Sequence, residues 1–327
     1  MRYRADPPSR KLTPAGRRIG VPRALGFDEL RHFFDTTLQG HGFEVVFSPP
    51  SSAAIAALGG ERCIDEVCLP LKLFFGHVAA LIAEGVDTVL VPRLCSLAPG
   101  RNLCPKFHLL PDLIEQAYPE VDVLAPFIDL HHSPRRDLAA HLVDACRPML
   151  EELGVWRGRA SRELLREALR EDEARSATPE RARGKGDVTI ALVGHHYAER
   201  DRFLGLGVGR LLRGMGARTL IAPRRLPEIP GPLEEGMYYE SVVRSARAIE
   251  HHLEAGVDGV LLLTFFACGP DSYGADTLLY RLEGRGAAVP VMRLILDEHT
   301  SVEGLSTRLT TFVEMCRGRR DERGRGC

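Results

Sequence analysis

Lysine is nearly missing from this 327-residue chain: four lysines, at 11, 72, 106 and 185, stand against 39 arginines. A genome bias toward arginine codons is the simplest source of that imbalance, and it makes the position of each lysine informative. Net charge is equally scarce. At −1 the balance removes any whole-chain case for nucleic-acid binding. No segment reaches the roughly 18 uninterrupted apolar residues that a spanning helix needs. The opening MRYRADPPSRKLTPAGRR has basic residues with no apolar stretch behind them, so it reads as neither signal peptide nor membrane anchor. The expected location is cytoplasmic, with no membrane partner. No G-x-x-x-x-G-K-[ST] run occurs, so the chain lacks a P-loop and is not expected to hydrolyse ATP itself.

What is present divides into two similar halves. With 44% hydrophobic residues, the chain can bury two cores of ordinary domain size. Short apolar runs alternate with longer amphipathic ones, which predicts an α/β fold: two Rossmann-like lobes with mostly parallel sheets and a cleft between them. Strands are expected at 18–22, 43–47, 88–91 and 121–125, with helices at 27–39, 70–84, 105–118 and 138–153. The second half repeats the order, with strands at 188–193, 217–221 and 257–266 and helices at 203–215 and 239–255. The junctions match as well, AEGVDTVLV at 83–91 against EAGVDGVLL at 254–262. The expected domains are a first lobe at 18–150 and a second at 187–317. A connecting helix and linker fill 151–186, and disordered tails occupy 1–17 and 318–327.

Eight cysteines in a protein expected in the cytoplasm point to thiols or metal ligands rather than disulfides. Three share one setting: Cys68-Leu-Pro, Cys104-Pro and Cys268-Gly-Pro. Each proline falls where a helix would begin, which places the thiol at or near an N-cap, where free N–H groups and the helix dipole favour negative charge. The same environment suits an anionic iron–sulfur cluster. One cysteine at a strand end is usually packing; three in one setting argue otherwise. Cys146-Arg-Pro copies the pattern inside a helix, and Cys146, Cys316 and Cys327 read as structural or incidental. Cys63, five residues before Cys68, and Cys95, at the end of a strand, are candidates for a further ligand. There is no C-x₂-C pair of the kind common in structural zinc sites. Lys72 and Lys106 each follow a candidate ligand closely, as if a compact ammonium were needed to tune a cluster or hold a phosphate.

These stretches resemble the 2-hydroxyacyl-CoA dehydratase and benzoyl-CoA reductase superfamily, and more narrowly its acyl-CoA dehydratase activase-related (CoA-activase-like) members. The matching segments are IGVPRAL (19–25), DEVCLPLKLFFGHV (65–78), CPKFHLLPD (104–112), FFACGPDS (265–272) and DEHTSVEGLSTR (297–308). The resemblance implies two Rossmann-like domains with a cluster in the cleft, and ligand roles for Cys68, Cys104 and Cys268. Three thiolates on a 4Fe-4S cluster would leave one iron open; the larger double cubane of some relatives would draw in Cys63 and Cys95. The implied partners are a separate ATP-hydrolysing activator of the actin and Hsp70 fold and an acyl-CoA substrate; a homodimer is a separate expectation.

The expected activity is ATP-driven low-potential electron transfer to an acyl-CoA or other small substrate, of dehydratase or reductase type. Two alternatives stand beside it: a non-catalytic electron-transfer or cluster-carrying accessory protein, and a cluster-free nucleotide or sugar-phosphate binder. Asp271 and Ser272 would orient the loop after Cys268. Tyr197, Asp201, Asp297, Glu298 and His299 are candidate polar residues of the cleft. The loop GHHYAERD (194–201) departs from relatives at His196 and Ala198, and its plain reading is a strand-to-helix turn with Asp201 near a helix start. Thr300 with Glu303 reads as a capping box. The glycines of GLGVGRLLRGMG (205–216) fall inside an expected helix, which argues against a dinucleotide site there.

Overall fold

Parallel strands in both halves place their carboxyl ends on one edge, and that edge positions everything described below. The computed structural model describes residues 18–25, 27–131, 138–176, 183–223, 226, 231–285 and 289–325. The tail 1–17 and linker residues 177–182 lie outside them.

In the first half, β1 (Arg18–Val21), α1 (Phe27–Gly40), β2 (Glu44–Phe47), α2 (Ala53–Gly60), α3 (Leu69–Ala83) and β3 (Thr88–Leu90) come first. Then follow β4 (Arg93–Ser96), α4 (Pro105–Ala117), β5 (Asp122–Leu124), β6 (Phe127–Asp129), α5 (Leu138–Glu152) and α6 (Arg159–Ser176). The sheet order is β2-β1-β3-β5, all parallel, with β4 and β6 forming a separate parallel pair. Pro92 and Pro126 explain the separation. They interrupt β3 and β5 at one level, because a proline cannot donate to the ladder. The pairing resumes beyond them, with Arg93 N–H donating to the Pro126 carbonyl at 3.0 Å.

The second half holds β7 (Val188–Gly194), α7 (His196–Arg200), α8 (Val208–Gly214), β8 (Ala217–Ile221), α9 (Glu240–Glu254), β9 (Gly259–Phe265), α10 (Gly269–Gly284), β10 (Val291–Leu296) and α11 (Val302–Arg325). Its sheet order is β10-β9-β7-β8, again parallel. Strands β7 and β9 are buried on both sides. Ile190, Leu192, Leu261, Leu263 and Phe265 join the large core that also holds the first half, while Ala191, Val193, Val260 and Leu262 face a smaller core under α9 and α10. One face of the second sheet is thus continuous with the first lobe's interior.

Three expectations need correction. The helix expected at 203–215 begins only at Val208, because Leu206 (φ 46°) and Gly207 (φ 64°) turn the backbone left-handed before it. The tail expected at 318–327 is helical as far as Arg325, because α11 is pinned from its side by Arg317 to Asp187 at 2.8 Å and Arg320 to Asp258 at 3.6 Å. Thr300 does not cap α11: its hydroxyl is held by Asp297 Oδ1 at 2.8 Å, and Ser301 Oγ accepts the Gly304 N–H instead. Among the described residues no helix is long and apolar enough to cross a membrane.

Two devices fix the first lobe. Helix α2 crosses α3 at paired glycines; a Cβ on Gly59 would strike the Lys72 carbonyl, and one on Gly76 the Ile55 carbonyl. Next to that crossing, His77 is fully buried in a polar chain. Arg23 N–H donates to Ser48 Oγ (2.9 Å), Ser48 lies 2.9 Å from His77 Nδ1, and His77 Nε2 lies 3.1 Å from Ser51 Oγ. Ser51 then donates to Asp201 Oδ2 of the second lobe at 2.5 Å. The chain is satisfied when Ser48 donates to Nδ1 and Nε2–H donates to Ser51. Burial lowers the His77 pKa to about 4, so the ring is neutral near pH 7.

A group whose folded-state pKa is depressed from 6.5 to about 4 contributes stability that is complete above pH 6.5 and is lost as the pH falls through 4. His77 is therefore expected to withdraw up to roughly 3 kcal/mol over that window. Calorimetry at pH 7, 5 and 4 should show His77→Gln losing less on acidification than the parent, and parallel losses would remove the assignment. Gly76→Ala is expected to cost roughly 3 kcal/mol through the forced separation of α2 and α3, readable as a lowered denaturant midpoint.

Candidate metal centre

The three cysteines that precede prolines are the N-caps of three long helices: Cys68 of α3, Cys104 of α4 and Cys268 of α10, each with proline at the first turn. The local reason is the same each time. Proline costs a helix nothing at its first turn, where the N–H has no intrahelical partner, and the cysteine that precedes each of these turns stays outside helical dihedrals, with ψ of 150°, 133° and 112°. These helices run back from the carboxyl edge of their sheets, so all three N-termini open on that edge. In the second sheet β7 lies between β8 and β9, and the connections leave it in opposite directions. Cys268 follows β9 and His195 follows β7, so both stand at the switch point where doubly wound sheets form their crevice.

The three sulfurs share one electrostatic neighbourhood. Cys68 and Cys268 are buried and Cys104 is partly buried. The Cys68 thiol feels Cys104 and Asp271, and the Cys268 thiol feels Cys68 and Cys104. All three thiol pKa values are raised, chiefly by burial. None of the thiols makes a close side-chain cap bond, yet the N–H groups of Leu71, Lys106 and Asp271 act on the respective sulfurs and oppose that rise. The Lys106 ammonium also opposes it at Cys68 and Cys104, and its Nζ donates to the Ala267 carbonyl at 3.3 Å. Ala267 itself sits at φ 59°, a left-handed conformation rare outside glycine.

One functional residue escaped the sequence reading. His195, buried at the end of β7, places Nε2 2.8 Å from Asp271 Oδ1 and 3.8 Å from Cys268 Sγ. Asp271 Oδ2 accepts the Phe265 N–H at 3.0 Å, closing the turn between β9 and α10. Burial pulls the Asp271 carboxyl upward, but the His195 charge and hydrogen bond outweigh it and hold the pKa below the usual range. Tyr197 stacks on His195, with centroids 4.8 Å apart and planes 14° apart. Its hydroxyl is pushed far up by burial and then by the nearby Cys268, Cys68 and Cys104. The available signal for His195 was position alone, as the residue leaving a buried strand opposite Cys268.

The remaining candidates spread out. Cys63 is half-buried, raised by burial, and its ionic neighbours are Lys72, Asp65 and Glu298. Cys95, pushed up to about 11 by burial and then by Asp129, lies 2.5 Å from His108 Nδ1 of α4. Lys72 reaches across to Glu298 at 2.5 Å, a bond that raises the lysine pKa. Asp297 Oδ1 takes the His299 N–H at 2.9 Å and so organises its own turn. Ser272 donates to the Cys268 carbonyl within the first turn of α10. Asp201 is the C-cap of α7, not near a helix start as expected, and its Oδ1 caps the turn that follows through Phe203 and Leu204.

Among the described residues, His195, Cys268 and Asp271 form the one group of three such donors within 4.8 Å of one another. The three cysteine sulfurs therefore do not close to the spacing that one ion would require. Thiols at amide-rich helix starts have the chemistry that suits an anionic cluster, and the His195 group has the donor set that suits a single ion. Asp271→Ala is expected to lower stability by roughly 2–4 kcal/mol, because it strands the Phe265 N–H and His195 together. Asp271→Asn should recover part of that loss in a denaturant titration. Equal loss in both would mean that the carboxylate charge, not the bond, supports the turn.

No curated protein matches the chain. Among solved structures it is similar to the Streptomyces sp. SF2575 glycosyltransferase SsfS6, complexed with thymidine diphosphate, at 14% identity over 93% of this chain and 91% of that one. The TM-score is 0.23, too low to carry any inference. The model of one family matches residues 18–223, a span that takes in Cys68, Cys104 and His195 and stops before Cys268. On that match the chain belongs to the family of the CoA enzyme activase uncharacterised domain (DUF2229).

Proposed function

We propose that the chain is an iron–sulfur protein of a CoA-enzyme activation system, with Cys68, Cys104 and Cys268 as cluster ligands. The observation that supports this most is the meeting of three N-cap thiols, from three helices on two sheets, in one electrostatically coupled group. A cluster held there would supply one-electron transfer at low potential. The protein's own part is to bury the ligands, aim backbone N–H groups at them, and bring Lys106 against the anionic charge. Burial holds the thiols protonated before loading, so each releases its proton on binding iron. Asp271 fixes His195 beside Cys268, and Tyr197 covers that pair from the second lobe.

In this reading the electrons come from a separate ATP-hydrolysing activator, and an acyl-CoA enzyme or substrate receives them. The family name speaks for an enzyme partner of some kind. Whether the chain turns over acyl-CoA itself or carries electrons to an enzyme that does is decided by assay with a reconstituted activator. A second reading, a single divalent ion on His195, Cys268 and Asp271, rests on their donor atoms lying within 4.8 Å.

Iron and acid-labile sulfide on protein purified without oxygen test both. About four of each per chain, lost in Cys68→Ser, Cys104→Ser and Cys268→Ser alike, is the expected result. About eight would bring in Cys63 and Cys95. One metal ion per chain, sensitive to His195→Gln and indifferent to Cys68→Ser, would replace the cluster by the single-ion reading. Absence of metal in fresh wild type would overturn both.

A further inference from the structure

The second lobe holds a cavity of about 330 Å³, lined in part by residues 198–202. Five arginines line it: Arg183, Arg200, Arg202, Arg210 and Arg213. Its two acids are already engaged. Glu199 is held by Arg244 at 3.2 Å and accepts the Gly194 N–H, and Asp201 is taken up by Ser51 and the turn at 203–204. Arg213 donates to Thr219 Oγ1 at 3.1 Å, a neutral partner. Among the described residues no carboxylate pairs with Arg183, Arg202, Arg210 or Arg213. Uncompensated guanidinium groups around one concavity raise the local concentration of anions, and their planar forks match phosphate oxygens two at a time.

The floor differs from the walls. Leu192 of β7, Ile221 of β8 and Leu263 of β9 supply an apolar base. The rim is the turn between α7 and α8, where Leu206 takes φ 46° and Gly207 φ 64°. A non-glycine residue held left-handed stores strain that ordinary turns avoid, and such strain concentrates at ligand sites. The volume lies at the lower end of the range for small-molecule pockets.

We infer that this cavity is a second, independent site, for a small molecule that carries a phosphate or pyrophosphate group on an apolar or aromatic body. Arg202 and Arg210, both exposed, hold the phosphate oxygens together with Arg213. The sheet floor takes the body. The site stands whether or not the thiols hold a cluster, since none of its residues is a thiol ligand.

Titration calorimetry at low salt with inorganic pyrophosphate, ADP and uncharged adenosine tests it. Pyrophosphate and ADP are expected to bind and adenosine not to. Affinity should fall as salt rises from about 50 to about 250 mM, because added ions screen the attraction between guanidinium and phosphate. ADP binding at least tenfold tighter than pyrophosphate would support the floor as the seat of the body, and equal binding would overturn that half of the proposal. Arg202→Glu with Arg210→Glu should abolish binding while the circular dichroism spectrum and unfolding midpoint stay those of the parent; Arg202→Gln with Arg210→Gln serves if the charge reversal fails to fold. No binding by either phosphate probe at millimolar concentration, or binding unchanged in a folded double variant, would overturn the site.

Discussion

The burial of three sulfur atoms where three helices begin governs the centre of this protein. Burial alone makes a thiolate costly, and each thiol is pushed upward accordingly. The fold sets against that cost the unpartnered N–H groups at each helix start, and the Lys106 ammonium beside two of them. The sheets have to be parallel for this to work, because only parallel strands bring successive helix N-termini to one edge. Proline at each first turn then fixes where the helix starts, and so where the sulfur stands.

That logic also explains what could be read from the chain before its fold was known. Cys-x-Pro and Cys-Pro carry their own local geometry, so the three N-caps were legible. The repeated strand and helix order was legible for the same reason: apolar periodicity is a local signal. What was not legible depended on contacts distant in sequence. Helix α2 has little amphipathic pattern of its own and is defined by the glycine crossing with α3. Strands β4 and β6 are four and three residues long and exist through pairing with each other. His195 is one histidine among twelve, and only its approach to Cys268 and Asp271 sets it apart. The run GLGVGRLLRGMG looks helical throughout by composition; two left-handed residues in its first half show otherwise.

The segment 195–202 has two faces with different chemistry. His195 and Tyr197 stand with the thiols, while Arg200, Asp201 and Arg202 line the arginine cavity. The short helix α7 carries residues of both groups and is braced by the buried Glu199–Arg244 pair. Burial raises the Glu199 pKa to about 7 against the pull of Arg244, so the brace sits in an environment that tolerates charge poorly. Asp201 adds a third role, ending the polar chain from His77 that joins the lobes.

The scarce lysines gain a mechanical meaning from where they land. Lys72 crosses to Glu298 and Lys106 to the Ala267 carbonyl, so both tie the first lobe to the second beside the thiols. An arginine fork in either place would fix the angle between the two bodies, since both of its N–H bonds must stay in one plane. An ammonium presents three equivalent donors about a single axis and keeps its bond while it swivels. Each tether can therefore keep its bond through small side-chain rotations that would break an arginine fork.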